Sequence, residues 1–176
     1  MSLINSLEKN FYMGIDESNH GRFPEIFVAA FSRFPTDVLN KYPLSKIRNH
    51  KKLFGHFSKR DYTFLSIEEN DFERVSKRDI HGIIISSLLL NELPPSFETL
   101  EIYIDGIISP EKKIRTKEII YEHMNIEKSR LTILSGPQLD RTYKLVNLAD
   151  EMAHYIFRKS SPNQQALSKH RRYLLS

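Results

Sequence analysis

The chain contains no cysteine. Disulfide bonds, thiolate zinc sites and cysteine nucleophiles are therefore excluded. That absence fits an intracellular, cytoplasmic protein. Long apolar runs are missing as well. The longest, Ile83 to Leu90, carries Ser86 and Ser87 inside it and falls far short of the ~20 residues that cross a bilayer. No membrane span is expected. The N-terminus has neither the charged start nor the apolar centre of a secretion signal. There are only six glycines, and none form a Gly-x-Gly-x-x-Gly run, a Walker phosphate loop or the Gly-x-Ser-x-Gly elbow of serine hydrolases. His81 and His123 have no partner at metal-ligand spacing.

Acidic residues are absent from two stretches. Between Lys41 and Arg60 there are seven basic residues and no acid, with His50, His56, Tyr42, Phe54 and Phe57 interleaved. From Arg158 onward Lys159, Lys169, Arg171 and Arg172 are again unopposed. Cations mixed with aromatics neutralise phosphates and stack on bases. Lys46, Arg48, Lys51, Lys52, Lys59 and Arg60 are therefore candidate nucleic-acid contacts. A solvated loop and a frayed tail would carry the same pattern.

The remainder reads as one soluble domain: 176 residues, 40% hydrophobic and 27% charged, with a net charge of +4. Strands are expected at Phe11–Asp16, Glu25–Ser32, Tyr62–Ile67, Leu100–Asp105 and Arg130–Leu134. Ser18 to Pro24 would join the first two as a hairpin. Helices are expected from a cap at Ser76 to about Asn91, from Ser109-Pro110-Glu111 onward, and from about Asp140 to Arg158. Three leading strands followed by helix–strand alternation predict an α/β fold, a mixed sheet of about five strands with helices on both faces. The domain would cover 1–160, with a basic insertion at about 35–61 and a basic tail over 161–176.

The acids fall at informative places. Asp16 and Glu17 end the first strand, and Asp105 ends the fourth. If those strands are neighbours, Asp16 and Asp105 approach each other. Asp150 lies beside the apolar stripe Leu145, Leu148, Ala149, Met152 and Ile156 of the last helix, with Asn147 and His154 one turn away. Adjacent strand residues face opposite sides, so Glu17 joins Asp16 only where the strand bends or stops. Clustered carboxylates are hard ligands for magnesium or manganese. Two such ions about 4 Å apart activate water and stabilise the leaving oxygen of a phosphodiester. The bland readings are a hairpin turn at Asp16, an Asp-Gly turn at Asp105 and a solvated helix acid at Asp150.

The stretch Gly14-Ile15-Asp16-Glu17-Ser18-Asn19-His20-Gly21 resembles the Gly-Ile-Asp-Glu-Ala-Gly-Arg-Gly opening of type 2 ribonucleases H. The element order is similar to the ribonuclease H-like fold. A little-characterised group of that superfamily opens with Asp-Glu-Ser and closes with a Leu-Ala-Asp helix, as Leu148-Ala149-Asp150 does here. The resemblance implies that Asp16, Glu17, Asp105 and Asp150 are catalytic metal ligands. It also implies Mg2+ or Mn2+ as cofactor and nucleic acid as partner. Ser18 to Gly21 depart from the Gly-Arg-Gly with which the type 2 enzymes read an RNA–DNA junction. The expected function is a metal-dependent nuclease acting on RNA or DNA. The alternatives are a non-catalytic nucleic-acid or protein-interaction module of the same fold, or a small-substrate phosphohydrolase.

Overall fold

The computed structural model describes residues 10–18, 23–43, 62–90, 92–93 and 97–160. Five strands, β1 (Asn10–Ser18), β2 (Glu25–Ser32), β3 (Tyr62–Ile67), β4 (Thr99–Asp105) and β5 (Leu131–Gly136), form one sheet. Their spatial order is β3-β2-β1-β4-β5. The short link between β1 and β2 permits only an antiparallel pair, and β3 adds antiparallel to β2. β4 and β5 lie parallel, β4 on β1 and β5 on β4; a parallel pair needs a crossover, which the helix Pro110–Met124 supplies between β4 and β5. The sheet is thus mixed.

The helices are α1 (Thr36–Asn40), α2 (Glu69–Glu73), α3 (Ile80–Leu89), α4 (Pro110–Met124), α5 (Leu139–Thr142) and α6 (Lys144–Ser160). They cover both faces. Phe11, Met13 and Ile15 of β1 join Leu100, Ile102 and Ile104 of β4 beneath Ile84, Ile85 and Leu88 of α3 and Ile120 of α4. On the opposite face Tyr12, Val28, Ala30 and Tyr103 pack under Leu145, Val146, Ala149, Ala153 and Ile156 of α6. β1 is therefore apolar on both sides, the pattern of a central strand. No helix among the described residues is long and apolar enough to cross a membrane.

The structure differs from the sequence expectation in its helices. α3 begins at Ile80 rather than just after Ser76. The Ser76 Oγ accepts the Arg78 N–H at 3.2 Å, and its carbonyl accepts those of Asp79 and Ile80. These local bonds make a turn before the helix can start. The expected last helix is broken. Tyr143 is extended between α5 and α6, its ring 4.7 Å from that of Tyr103, while Asn40 Oδ1 accepts the Lys144 N–H at 2.9 Å. Both contacts are tertiary, so no local propensity reports them. α1 and α2 are short additions after Pro35 and Ile67. Within the expected basic insertion only residues 35–43 are described. Lys46, Arg48, Lys51, Lys52, Lys59 and Arg60 lie outside the described residues, as do Asn19, His20 and the 161–176 tail.

Candidate metal centre

The parallel register of β1 on β4 pairs Ile15 with Ile104. One step further along both strands come Asp16 and Asp105. Alternation turns both toward α6, on the side of Tyr12 and Tyr103 rather than of Ile15 and Ile104. The carboxylates thus leave neighbouring strands at the same edge of the sheet.

Gly14 brings α6 to that edge. A Cβ at this position would stand 2.6 Å from the backbone carbon and oxygen of Leu145 and 2.8 Å from the nitrogen of Val146. Only glycine lets the first turn of α6 rest directly on β1. The helix then buries Leu145, Leu148, Ala149, Ala153 and Ile156. Asp150 is held at the rim of this stripe, partly buried.

Each aspartate engages one oxygen locally. Asp16, 7% exposed, accepts the Glu17 N–H on Oδ1 at 2.7 Å. Asp105 Oδ1 accepts the Leu139 N–H at 2.7 Å, which ties the start of α5 to the end of β4. Gly106, with φ +102, makes the turn that leaves Asp105 there. Asp150 Oδ1 is 3.1 Å from Nε2 of the exposed His154, one turn on.

The Asp16 carboxyl is pushed up to about 7. Burial is the main cause, and the charges of Asp150, Asp105 and Asp140 add to it, while the Glu17 N–H works the other way. The buried aspartate is thus surrounded by acids from β4, α5 and α6. Glu17 parts from them. β1 does not stop at this residue but runs on to Ser18, pairing Glu17 with Phe27. Its side chain takes the α3 face, where it acts on His81. Burial, then Lys112, pushes the His81 imidazole down, and Glu17 opposes them.

No known family profile matches the sequence, and no curated protein does. The folded chain nevertheless superposes on solved structures. Against RNase HII from Archaeoglobus fulgidus, solved in complex with PCNA, the TM-score is 0.55 at 18% identity, covering 90% of this chain and 77% of that one. Against ribonuclease H2 from Pyrococcus horikoshii OT3 it is 0.51 at 21% identity, covering 86% and 76%. The chain has the ribonuclease H-like fold. A further match is Bst-RNase HIII in complex with Mn2+, with a TM-score of 0.54 at 15% identity; it covers 88% of this chain but 54% of that one. At these identities the likeness is one of fold.

The donor set of this ribonuclease H-like sheet fits a hard divalent cation in its chemistry. Asp16, Asp105 and Asp150 offer only carboxylate oxygen, and their mutual repulsion at Asp16 is what a bound cation relieves. In spacing the set is open. Among the described residues no three His, Asp or Glu side chains close into a metal-binding group.

Asp140 is an acid that the sequence reading passes over. Its signal lies in the topology: in a parallel pair, the loop after β5 returns to the edge where β4 ends. Asp105 pairs with Gly136, so an acid four residues beyond Gly136 arrives beside it.

Proposed function

We propose that this protein is a divalent-metal-dependent nuclease that hydrolyses phosphodiester bonds of nucleic acid. One observation carries the reading: buried Asp16 faces the charges of Asp105 and Asp150 at one sheet edge, without a described cationic side chain among the causes of its shift. A ribonuclease H-like fold, shared with a neighbour solved with Mn2+, supports it.

Asp16, Asp105 and Asp150 would hold magnesium or manganese. The cation supplies charge neutralisation of the phosphoryl oxygens and an acidified water. The protein supplies position. Gly14 seats α6, the Leu139 N–H orients Asp105, and the Glu17 N–H orients Asp16. Glu17 would enter the ligand set only through a turn at the end of β1, and we leave it outside. His154, in contact with Asp150, is placed to exchange a proton near the edge. The cations Lys46, Arg48, Lys51, Lys52, Lys59 and Arg60 would grip the phosphate backbone, on the strength of their unopposed charge. We read 1–160 as the domain and 161–176 as a basic tail.

The open spacing of the carboxylates favours one rival, a nucleic-acid-binding module that retains the fold without cleaving. A panel of single strands, duplexes, RNA–DNA hybrids and branched DNA, with Mg2+ or Mn2+, separates the two. Cleavage should require the cation and vanish in Asp16→Asn. Binding without cleavage across the panel selects the rival. With free nucleotides added to the panel, their hydrolysis without cleavage of any polymer selects a small-substrate phosphohydrolase.

A further inference from the structure

β4 hands over to α4 through a short turn, and one residue of that turn stands in water. Ile107 is 82% exposed. The other large apolar side chains exposed among the described residues, Phe23, Leu90, Ile114, Tyr121 and Tyr155, range from 37% to 60%. Single apolar residues at a surface are ordinary, but this one is held there. On one side the Gly106 N–H donates to the Gly136 carbonyl at 3.0 Å. On the other, Ile108 is buried and its N–H donates to Ser135 Oγ at 3.3 Å. Ser109 then caps α4, accepting the Lys112 N–H, with Pro110 in the first turn. The chain is thus pinned to β5 on both sides of Ile107. A β-branched side chain adds its own stiffness at χ1. At 82% exposure it removes little apolar surface from water, so the fold gains little from an isoleucine here. Its place relative to the acids is also fixed. Asp105 lies two residues back, and two residues of chain reach at most ~7 Å.

The geometry points to Ile107 as a substrate-contacting residue, which packs against the base and sugar of a nucleotide beside the phosphate brought to the carboxylate edge. This rests on the nucleic-acid reading above. Bases stack ~3.4 Å apart along a strand. A side chain within ~7 Å of Asp105 therefore lies alongside a nucleotide about one or two steps from that phosphate. Aliphatic side chains, isoleucine among them, pack between bases in proteins that bind nucleic acid. Every base has an apolar face, so the contact sets affinity rather than sequence preference. It differs in kind from a cation on a phosphate. A lysine there releases counterions, and its contribution fades as salt is added. An isoleucine on a base removes apolar surface from water on both partners, and no charge is present for salt to screen. The pinned turn helps as well, because binding has no chain left to order.

Fluorescence anisotropy of labelled RNA, DNA and hybrid oligonucleotides, titrated with the full chain at several salt concentrations, tests this without recourse to cleavage. The Asp16→Asn protein, which should leave the strands intact, is the reference. Adding Ile107→Ser should raise Kd about fivefold to tenfold, the scale of losing about one to two buried methylene groups. The factor should be the same at every salt concentration, so the slope of log affinity against log salt stays put. Ile107→Phe, with a larger apolar face, should bind at least as tightly as the reference. The melting temperature of Ile107→Ser should match that of wild type. An unchanged Kd in Ile107→Ser overturns the assignment and leaves the nuclease reading standing. A loss that shrinks as salt rises overturns it too, since the contact is then electrostatic. So does a lowered melting temperature, which would place the side chain in the service of the fold. Unchanged nucleic-acid binding with lost self-association in sedimentation would assign Ile107 to a contact with a second copy instead. If neither the reference nor the wild type in chelator binds any strand, both readings fall together.

Discussion

Asp16 carries the electrostatic tension of the molecule. Its carboxyl rises from 3.8 to about 7, through burial first and the charges of Asp150, Asp105 and Asp140 second. The folded protein therefore holds this proton more tightly than the unfolded chain does. Its contribution to stability is full below about pH 4, the unfolded value, and is lost as pH rises through about 7. In chelator, the wild type should lose up to ~4 kcal/mol between these limits. Asp16→Asn should flatten that slope, as urea melts at several pH values would show. A wild-type slope equal to the variant's would mean that Asp16 is not the group responsible. A saturating divalent cation should restore stability above pH 7, because it replaces the proton as the source of positive charge. Asp16 was legible in the sequence as the acid ending an apolar strand. Its burial and its third acidic neighbour, Asp140, were not, because both depend on what folds over the strand end.

At the scale of elements, the placement of α6 decides whether Asp150 reaches the site. Gly14 admits the helix backbone at a distance no side chain tolerates. Gly14→Ala must push Leu145 and Val146 off β1, and we expect a loss of roughly 2–4 kcal/mol by chemical denaturation. Metal affinity should fall with it, since Asp150 moves with the helix. The start of α6 is held by Asn40 Oδ1 on the Lys144 N–H. Asn40→Ala removes that acceptor and should cost about 1 kcal/mol, the scale of a missing helix cap. A variant melting like wild type would show that another group takes over the N–H. The apolar spacing of this helix was readable from its sequence, but its start was not. Tyr143 leaves helical geometry with its ring against Tyr103, a residue forty positions away in the chain.

At the scale of the whole molecule, acids and cations are concentrated in different parts of the chain. Asp16, Asp105, Asp140 and Asp150 interact where β1 and β4 end, while unopposed cations are concentrated between Lys41 and Arg60 in the sequence. If that segment grips a phosphate backbone, Lys51→Glu with Lys52→Glu should weaken nucleic-acid binding without moving the melting temperature. The slope of log affinity against log salt should shrink by about 0.7–0.9 for each phosphate that the variant no longer neutralises. Binding assays at several salt concentrations read this directly, and an unchanged slope would detach the segment from the substrate.

The alternation of apolar residues, the turn residues and the order of strands and helices determined the mixed α/β sheet from sequence alone. These signals are local, and their consequences for topology follow from short connections and right-handed crossovers. The approach of Asp16 to Asp105 hung on β1 and β4 being neighbours, and the parallel register of the folded sheet supplied that. Tertiary structure decided the rest. It carried β1 past Glu17, so that alternation placed Glu17 on the α3 face instead of beside Asp16. It broke the last helix at Tyr143 and brought Asp140 to the acids. It also buried Ile108 and left Ile107 beside it in water. Strand length, helix seating and burial depend on contacts between residues distant in the chain, and no window of sequence contains both partners.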